Sequence, residues 1–278
     1  MISRKTTFIL ISSALLLLNG CQSQSPQATQ TSLNPAESKS KPNESSGNNQ
    51  SNSLINLDNF LVEVSKRDNI PLNILKDAFT DIKPQASARK LVSPPISSTK
   101  KNWRGFRKNF IEPVRLNAGQ KFWEDNRAFL EKTEKETGVP AEILVGIIGI
   151  ETMYGSNMGN FPVRDVLVTL AFDYPPAPNK EARETMFRGQ LEDLAVYCWK
   201  DSQGKQTAFK TCLKQSSSFA GAIGMPQFMP TSILKYAKDG NGDGVIDLRN
   251  NSEDAIASVA SFMVGHGWKR NEPIFLEV

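Results

Sequence analysis

One short apolar segment of the sequence ends in a carboxylic acid, and it limits the folds that the chain can adopt. Residues 143–152 read ILVGIIGIET, and Pro140 shortly before them suits the first turn of a helix. In such a helix Ile147 and Ile148 lie four and three residues before Glu151, so that the carboxyl shares their apolar face. We therefore predict a helix that holds Glu151 among isoleucines.

These apolar surroundings predict an acid-base role for Glu151. Removal of a carboxyl from water disfavours its ionised form, so Glu151 is expected to carry a proton near neutral pH, as a general acid must. The alternative is that Glu151 points into solvent at the helix end, where a charged residue is ordinary.

A second segment, SSFAGAIGMPQFMP at residues 217–230, is typical of a loop that touches a ligand. Its small residues let the backbone approach a bound molecule, while Ser218 and Gln227 offer neutral hydrogen-bonding groups. Few purely structural loops have this composition.

The N-terminus has the pattern of an export signal. Arg4 and Lys5 precede an apolar run at residues 8–18, which is too short to span a bilayer as a mature helix. The following LNGC resembles a bacterial lipobox, in which Cys21 becomes the lipidated first residue; an ordinary signal with a chance cysteine is the alternative. Gln22 resembles the residue that follows the cysteine in outer-membrane lipoproteins. We expect a signal peptide at 1–20 and a lipid anchor at the periplasmic face of the outer membrane.

Composition divides the remainder of the chain into a tether and a folded domain. Residues 21–53 contain the lipidated cysteine and then mostly Ser, Asn, Gln, Pro and Thr, which cannot bury enough surface to offset ordering. Residues 54–278 are long enough for a sizeable core. Helical patterns cover residues 54–79 with a break at 68–71, then 118–137, 140–153, 163–172 and 181–199. The prediction is a mainly α domain with at most a tiny hairpin, preceded by a disordered tether.

The cysteines, the net charge and the single histidine exclude several classes of function. Cys198 and Cys212 flank the polar segment 200–210, which looks like a surface loop closed by a disulfide worth about 3 kcal/mol; two free buried thiols are the alternative. The net charge of +4 comes with scattered lysines, so no nucleic-acid partner is expected. His266 is the only histidine and suits packing at a helix end, which disfavours zinc hydrolases and Ser-His-Asp or Cys-His enzymes.

Several ordered motifs carry a family resemblance. They are IIGIET at 147–152, LAFDYP at 170–175, FAGAIGMPQFMP at 219–230 and GHGW at 265–268, with FRKNFI at 106–111 and FW at 122–123 at matching intervals. Together they resemble the membrane-bound lytic murein transglycosylase B family. The resemblance implies a lysozyme-like α fold of the goose-type and lytic transglycosylase kind. It also implies cleavage of the β-1,4 bond between N-acetylmuramic acid and N-acetylglucosamine in peptidoglycan strands, without a cofactor for the chemistry.

The same resemblance assigns roles to individual residues. The muramoyl 6-hydroxyl attacks its own anomeric carbon and forms a 1,6-anhydro end, so Glu151 alone serves as acid and then as base. Ser218 and Gln227 are expected to line the sugar subsite. Tyr174 and Phe228 either contact the saccharide or pack in the core, and Phe106 is a further predicted substrate-binding residue.

The segment DGNGDGVID at 239–247 resembles an EF-hand calcium loop. Position 12 is Asn250, and in the resembled family a later aspartate closes the site. The predicted ligands of a structural Ca²⁺ are Asp239, Asn241, Asp243, Val245 and Asp254. A metal-free turn is the alternative, and no role in the reaction is expected for the ion.

The sequence departs from the family pattern in several places. Phe106 and Phe262 stand where relatives carry tyrosine, and Pro176 and Ala177 stand where arginines can follow the Tyr-Pro pair. Relatives continue beyond the Gly-Trp pair, whereas this sequence is C-terminally short. Two other functions therefore stay open, a non-catalytic lipoprotein that binds glycan strands and recruits other wall enzymes, and a muramidase that uses water. Cell-wall synthesis or divisome proteins as partners are not specified by the sequence.

Overall fold

The computed structural model describes the backbone of residues 46–94 and 102–274, and side chains from residue 56 onwards within those ranges. The predicted signal peptide, the lipidation site Cys21 and most of the predicted tether lie outside the described residues. The first helix begins at Ser46, within the segment predicted as tether. In the described ranges, no helix combines the length and the apolar character needed to cross a membrane.

The described residues form a mainly helical domain. The helices are α1 Ser46–Asp68, α2 Leu72–Ala78, α3 Ala86–Val92, α4 Trp103–Lys108, α5 Pro113–Thr137, α6 Ala141–Thr152, α7 Val163–Phe172, α8 Lys180–Asp201, α9 Gln206–Leu213, α10 Pro230–Tyr236 and α11 Ser252–Gly265. The two-residue strands β1 Phe161–Pro162 and β2 Ser216–Ser217 pair antiparallel. Because β1 and β2 are far apart in sequence, they are not the hairpin that the sequence suggested.

Helix boundaries follow local signals. Glu112 caps α5 by accepting hydrogen bonds from the Val114 and Arg115 amides, and Pro113 suits its first turn. Gly138 ends α5 with φ 74°, a left-handed conformation that glycine adopts at little cost. The side chain of Asn251 caps α11 in the same way as Glu112 caps α5.

Two clusters of buried apolar side chains form the core. The larger cluster joins α1, α2, α3, α7, α8 and α9, and includes Leu61, Leu75, Leu170 and Leu191. The smaller cluster joins α5, α6 and α11 around Leu130, Leu144, Ile148, Ile256 and Val259. Helix α6 therefore packs inside the smaller cluster, and its C-terminal end emerges next to the segment between β2 and α10.

The disulfide predicted between Cys198 and Cys212 is present and joins α8 to α9. The segment between the two cysteines is not the extended surface loop that the sequence suggested. Helix α8 continues to Asp201 and α9 starts at Gln206, so only a short turn separates the two helices. The fully buried side chain of Phe209 packs α9 against the core. The otherwise polar segment 200–210 therefore has an apolar face.

A buried ion-pair network holds the start of α7 against the segment after α2. The Arg164 guanidinium is 2% exposed and bonds the Asp165 carboxylate at 2.9 Å and the Asp81 carboxylate at 2.8 Å. It also donates to the Ala78 carbonyl. Because a buried cation without partners is costly, this arrangement depends on all three acceptors.

Candidate active site

Glu151 is the second-last residue of α6, and its carboxyl is largely withdrawn from water. Burial alone raises the pKa of Glu151 from 4.5 to about 7. Ile148, one turn earlier on the same face, is fully buried. The described part of the chain provides no hydrogen bond or ion pair that would favour the carboxylate. At neutral pH a substantial fraction of Glu151 is therefore protonated.

The backbone turns sharply after α6 ends at Thr152. Met153 and Tyr154 both adopt left-handed φ values, 49° and 57°, which are uncommon for residues with a side chain. The turn places the Tyr154 ring against Phe122 of α5, with 5.2 Å between ring centroids. The chain direction at the end of α6 is thus set by a tyrosine that packs back onto α5.

Two glycines make room for this tyrosine. A Cβ atom added at Gly119 of α5 or at Gly149 of α6 would lie 2.4 Å from the Tyr154 hydroxyl oxygen. Arg115 of α5 donates to the carbonyl of Gly149, which joins the two helices at the same level. Only glycine at both positions allows the ring to lie between α5 and α6, and this contact fixes the helix end that carries Glu151.

The segment 217–228 lies on the other side of this helix end. The Thr152 hydroxyl donates to the Met225 carbonyl at 2.9 Å and accepts the Gly155 amide at 3.0 Å. The Met225 amide in turn donates to the Leu248 carbonyl at 2.8 Å. The residue next to Glu151 therefore joins α6 to the segment that contains Ser218 and Gln227.

Ser218 and Gln227 both shape this segment. The Ser218 hydroxyl accepts the amides of Ala220 and Ala222, at 3.3 and 3.0 Å, so its own proton is not used by either bond. Gln227 has φ 51° and its side-chain amide donates to the Gly224 carbonyl at 3.0 Å. Gln227 is 9% exposed, whereas Ser218 is half-buried.

Tyr174 and Phe228 lie in the core rather than on an open surface. Each is 2% exposed, with Tyr174 stacked on Phe187 at 5.8 Å and Phe228 packed on Phe262 at 5.4 Å. Core packing, one of the two roles left open by the sequence, describes both residues. A ring enclosed in this way has no free face on which a sugar could stack.

Phe106 lies in an open apolar groove between α4, the start of α5 and α6. This groove has a volume of about 330 Å³. Its apolar lining consists mainly of Trp103, Phe106, Phe110, Ile111, Leu116 and Ile150. Ile150 is the immediate neighbour of Glu151, but successive helix residues point about 100° apart, so the groove and the carboxyl occupy adjacent faces of α6.

The loop predicted to bind calcium gathers oxygen atoms at an exposed turn. Asp239 accepts the amides of Gly242, Asp243 and Gly244, and the Asn241 side chain bonds the Asp243 carboxylate at 2.8 Å. These oxygens are of the type that Ca²⁺ prefers. Among the described residues, however, no group of three or more His, Cys, Asp or Glu side chains is placed to hold a metal ion.

Asp254, predicted to close the calcium loop, lies beneath it. Its carboxylate is fully buried and accepts the amides of Gly240 and Asp247, at 2.8 and 2.7 Å. Both oxygens thus bond the backbone at the two ends of the loop. In this structure Asp254 organises the loop through hydrogen bonds, which explains why a buried acid at this position needs no cation partner.

His266 lies at the end of α11, as predicted. Its ring stacks on Phe262 with 3.9 Å between centroids, and Nδ1 lies 2.8 Å from the Phe262 carbonyl oxygen. This is a packing position at a helix end.

Sequence reasoning missed Arg115, Thr152 and Tyr154. Each of them makes a contact with a residue distant in sequence, and a local sequence pattern cannot predict such a contact. The one available signal was the pair Gly119 and Gly149, since glycine inside a helix weakens it and often marks a close approach.

These features define a class of protein. The mainly helical domain has the lysozyme-like fold of the lytic transglycosylases. The family described as "Transglycosylase SLT domain" matches residues 55–278. The chain belongs to this family, and the resemblance predicted from its motifs is confirmed.

Individual relatives agree with this assignment. The chain is 39% identical over 183 residues to membrane-bound lytic murein transglycosylase B of Escherichia coli K12, covering 66% of this chain and 46% of the relative. The chain therefore spans about half the length of that curated relative.

Solved structures show the same fold. The soluble lytic transglycosylase SltB1 of Pseudomonas aeruginosa matches with TM-score 0.70 and 37% identity, over 78% of this chain and 69% of that one. Escherichia coli Slt35 in complex with calcium matches with TM-score 0.66 and 33% identity, over 82% and 65%. Pseudomonas aeruginosa SltB3 with NAG-NAM-pentapeptide matches with TM-score 0.66 and 25% identity, over 79% and 55%.

Proposed function

We propose that this chain is a peptidoglycan lytic transglycosylase that cleaves the β-1,4 bond between N-acetylmuramic acid and N-acetylglucosamine. The observation that carries the proposal is the carboxyl of Glu151, whose pKa burial raises to about 7, in a chain of the transglycosylase SLT domain family. The names of its relatives support the reaction type, and the SltB3 complex supports a substrate of glycan with attached peptide.

The proposed mechanism uses Glu151 twice. Protonated Glu151 gives its proton to the glycosidic oxygen as the bond to the muramoyl anomeric carbon breaks. The resulting carboxylate then accepts the proton of the muramoyl 6-hydroxyl, whose oxygen forms the new bond to that carbon. The product is a 1,6-anhydromuramoyl end, and the glutamate returns to its starting state. Because the nucleophile belongs to the substrate, no second carboxylate is required.

Ser218 and Gln227 are assigned to the sugar subsite beside Glu151. The hydroxyl of Ser218 has a proton left to donate, since its two bonds with backbone amides use it as an acceptor. Gln227 is held by Gly224 in a conformation that orients its amide. The contact between Thr152 and Met225 brings this segment to the helix end that carries the acid.

Product analysis of digested peptidoglycan tests the proposal. The full chain should release 1,6-anhydro-muropeptides from purified sacculi, identified by mass spectrometry. Glu151→Gln should lower release by at least about a hundredfold, because the amide cannot donate or accept the proton, while circular dichroism stays unchanged. Full activity of this variant would refute the assignment of Glu151.

The same measurement separates the two other functions. Reducing ends in place of anhydro ends would indicate a muramidase that uses water. Binding to sacculi without any soluble product would indicate a non-catalytic glycan-binding lipoprotein.

Anchoring to the outer membrane through a lipid on Cys21 is part of the proposal. It is supported by the LNGC sequence and by the name of the membrane-bound relative. Fractionation of cells should place the chain with the outer membrane, and radiolabelled palmitate should enter the chain but not its Cys21→Ala variant.

A structural Ca²⁺ in the loop 239–247 is a further part of the proposal. The oxygens of Asp239, Asn241 and Asp243 and the carbonyl of Val245 would hold the ion, with Asp254 supporting the loop from below. Thermal melting should give a midpoint several degrees higher with calcium than with a chelator, because an ion bound only to the folded state stabilises it. Asp243→Asn should reduce that difference, and an unchanged midpoint would argue against the ion.

A further inference from the structure

The two-stranded sheet beside the candidate site leaves one backbone carbonyl of β2 facing away from β1. The Val163 amide donates to the Gln215 carbonyl at 3.0 Å, which makes these two residues a hydrogen-bonded pair at the end of the antiparallel ladder. In such a ladder hydrogen-bonded pairs alternate with pairs whose amides and carbonyls point outward. Ser216, opposite Pro162, belongs to an outward pair. Because it is half-buried, its carbonyl needs a donor from outside the sheet.

Arg249 supplies that donor. Its guanidinium Nη1 donates to the Ser216 carbonyl at 2.7 Å, although the two residues are 33 positions apart in the sequence. The Arg249 side chain is half-buried, so water competes less for this hydrogen bond than it would on an open surface. Arg249 thus makes the contact that a third strand would make on the far side of β2.

The backbone that carries Arg249 is held by hydrogen bonds of its own. The Asp247 carboxylate accepts the Arg249 amide at 2.9 Å, and the buried Asp254 carboxylate accepts the Asp247 amide at 2.7 Å. Leu248, which is buried, accepts the Met225 amide at its carbonyl at 2.8 Å. The side chain of Arg249 therefore extends from a rigid support.

The hydrogen bond from Arg249 lies close to the sugar subsite in sequence. Strand β2 ends at Ser217, so the chain leaves the sheet at Ser218, the residue proposed to donate to the sugar. β1 and Arg249 hold β2 from opposite sides, and together they set the direction in which the chain leaves it. A shift of Ser216 would turn the Ser218 hydroxyl relative to Glu151.

We propose that Arg249 is a positioning residue for the sugar subsite and acts on the substrate through Ser216 and Ser218. The inference rests on the proposed function, because it requires that Ser218 bonds a sugar. A hydrogen bond made equally to the bound substrate and to the transition state lowers KM and leaves kcat unchanged. Loss of the Arg249 guanidinium should therefore change KM.

Steady-state kinetics on NAG-NAM oligosaccharides of defined length tests the inference. Arg249→Met removes the donor with little change in side-chain length, and it should raise KM about fivefold, the effect of one hydrogen bond, while kcat changes less than about twofold. Arg249→Lys keeps a donor and should restore most of the affinity. A purely structural role would reduce the folded fraction, which lowers kcat and leaves KM unchanged. That result, or equal KM values in Arg249→Met and the wild type, would overturn the inference.

A double-mutant cycle with Ser218→Ala shows whether the two residues act together. Arg249→Met should raise KM about fivefold in the wild-type chain but less than about twofold in Ser218→Ala, because the hydroxyl that Arg249 positions is then absent. The same increase in both backgrounds would overturn the path through Ser218.

Arg270→Met is the matched control. Arg270 also donates to a backbone carbonyl, that of Lys135 at 2.8 Å, but this contact lies near the start of α6, whereas Glu151 lies near its end. Arg270→Met should leave KM unchanged, and an increase equal to that of Arg249→Met would overturn the specific role of Arg249.

Direct binding separates failure of this inference from failure of the proposed function. Absence of cleavage by the wild-type chain would refute the proposed function. Calorimetry with the same oligosaccharides in the Glu151→Gln background, which prevents turnover, then tests Arg249 alone. An affinity about fivefold weaker with Arg249→Met is expected. Equal affinities with and without Arg249→Met, or no binding in either chain, would overturn the inference.

Discussion

At the scale of single residues, the central physical fact is the removal of one carboxyl from water without a compensating partner. Burial raises the pKa of Glu151 to about 7, and it is the one cause of the shift. Burial also raises the pKa of Asp201, and it raises that of Glu192 against the opposing effect of Arg67. The pKa of Asp81 is lowered by hydrogen bonds from Lys214 and Arg164, and that of Asp247 by its bonds with Asn250 and Arg249 against an opposing effect of burial. Glu151 is thus suited to carry a proton at neutral pH.

The pH dependence of activity follows from this shift. The first proton transfer needs the protonated acid, so turnover should be high below pH 7 and fall as the pH rises through about 7. Measured kcat/KM over the range from about pH 3 to about pH 9 checks this expectation. A descending limb with a midpoint near the ordinary glutamate value of 4.5 would show that the carboxyl is hydrated.

Stability should depend on pH in a related way. The folded state holds the Glu151 proton more tightly than the unfolded state, so its stabilising effect is complete below 4.5 and is lost as the pH rises to about 7. Glu151→Gln does not titrate, and at pH 8 it should be more stable than the wild type by about 1–3 kcal/mol. Urea unfolding at pH 4 and pH 8 measures the difference, which should be smaller at pH 4.

At the scale of secondary-structure elements, the contact between α5 and α6 decides where the acid lies. Tyr154 fills the space left by Gly119 and Gly149, and Arg115 bonds the carbonyl of Gly149. On the opposite side, Thr152 bonds the segment 217–228 through Met225. The end of α6 is therefore held from two directions.

A methyl group at Gly149 should disturb this contact. In Gly149→Ala the new Cβ would lie 2.4 Å from the Tyr154 hydroxyl oxygen, so the ring must move. We expect a loss of about 1–3 kcal/mol in the free energy of unfolding, with a lower kcat because Glu151 shifts. Gly146→Ala is the control on the same helix, since its Cβ would meet nothing within 4 Å. It should gain up to about 1 kcal/mol, and equal effects of the two substitutions would contradict the role given to Tyr154.

The ion pairs of Arg164 offer a second prediction at this scale. Arg164→Met leaves the Asp165 carboxylate, only 5% exposed, without its cation and should cost about 3–5 kcal/mol in chemical unfolding. Lys214 pairs with the same Asp81 at 2.6 Å, but both side chains are about half exposed. Lys214→Met should therefore cost less than about 1 kcal/mol. Similar losses in both variants would show that burial does not set the strength of this network.

At the scale of the whole molecule, two cores are joined around the candidate site. The smaller core contains α6, while the segment 217–228 contributes Ile223 and Phe228 to the larger one. The proposed reaction thus depends on the relative placement of two clusters, and α11 contributes to both of them, through Val259 to the smaller and Phe262 to the larger. The Trp268 indole lies just after α11 and donates to the Gly138 carbonyl at 2.8 Å. This hydrogen bond holds the end of α11 against the junction of α5 and α6.

Much of this architecture could be predicted from local sequence. The helix at Val163–Phe172 has the ends that the sequence predicts, and α5 ends at Thr137, directly before the predicted Gly138. Short helices such as α3, α4, α9 and α10 were not predicted, because six to eight residues are too few for periodicity to stand out. Burial against neighbouring helices stabilises α9 where its own sequence looks like a polar loop.

The sequence by itself determined the helical class, the family, the disulfide partners and the apolar helix that carries Glu151 near its end, because each depends on residues close together in the chain or on ordered motifs. Only the tertiary structure decided that Tyr174 and Phe228 are enclosed, that Asp254 bonds the backbone, and that Tyr154 lies between two glycines. These outcomes depend on which surfaces meet across long stretches of chain, and the energy of such contacts appears only when distant segments exclude water together.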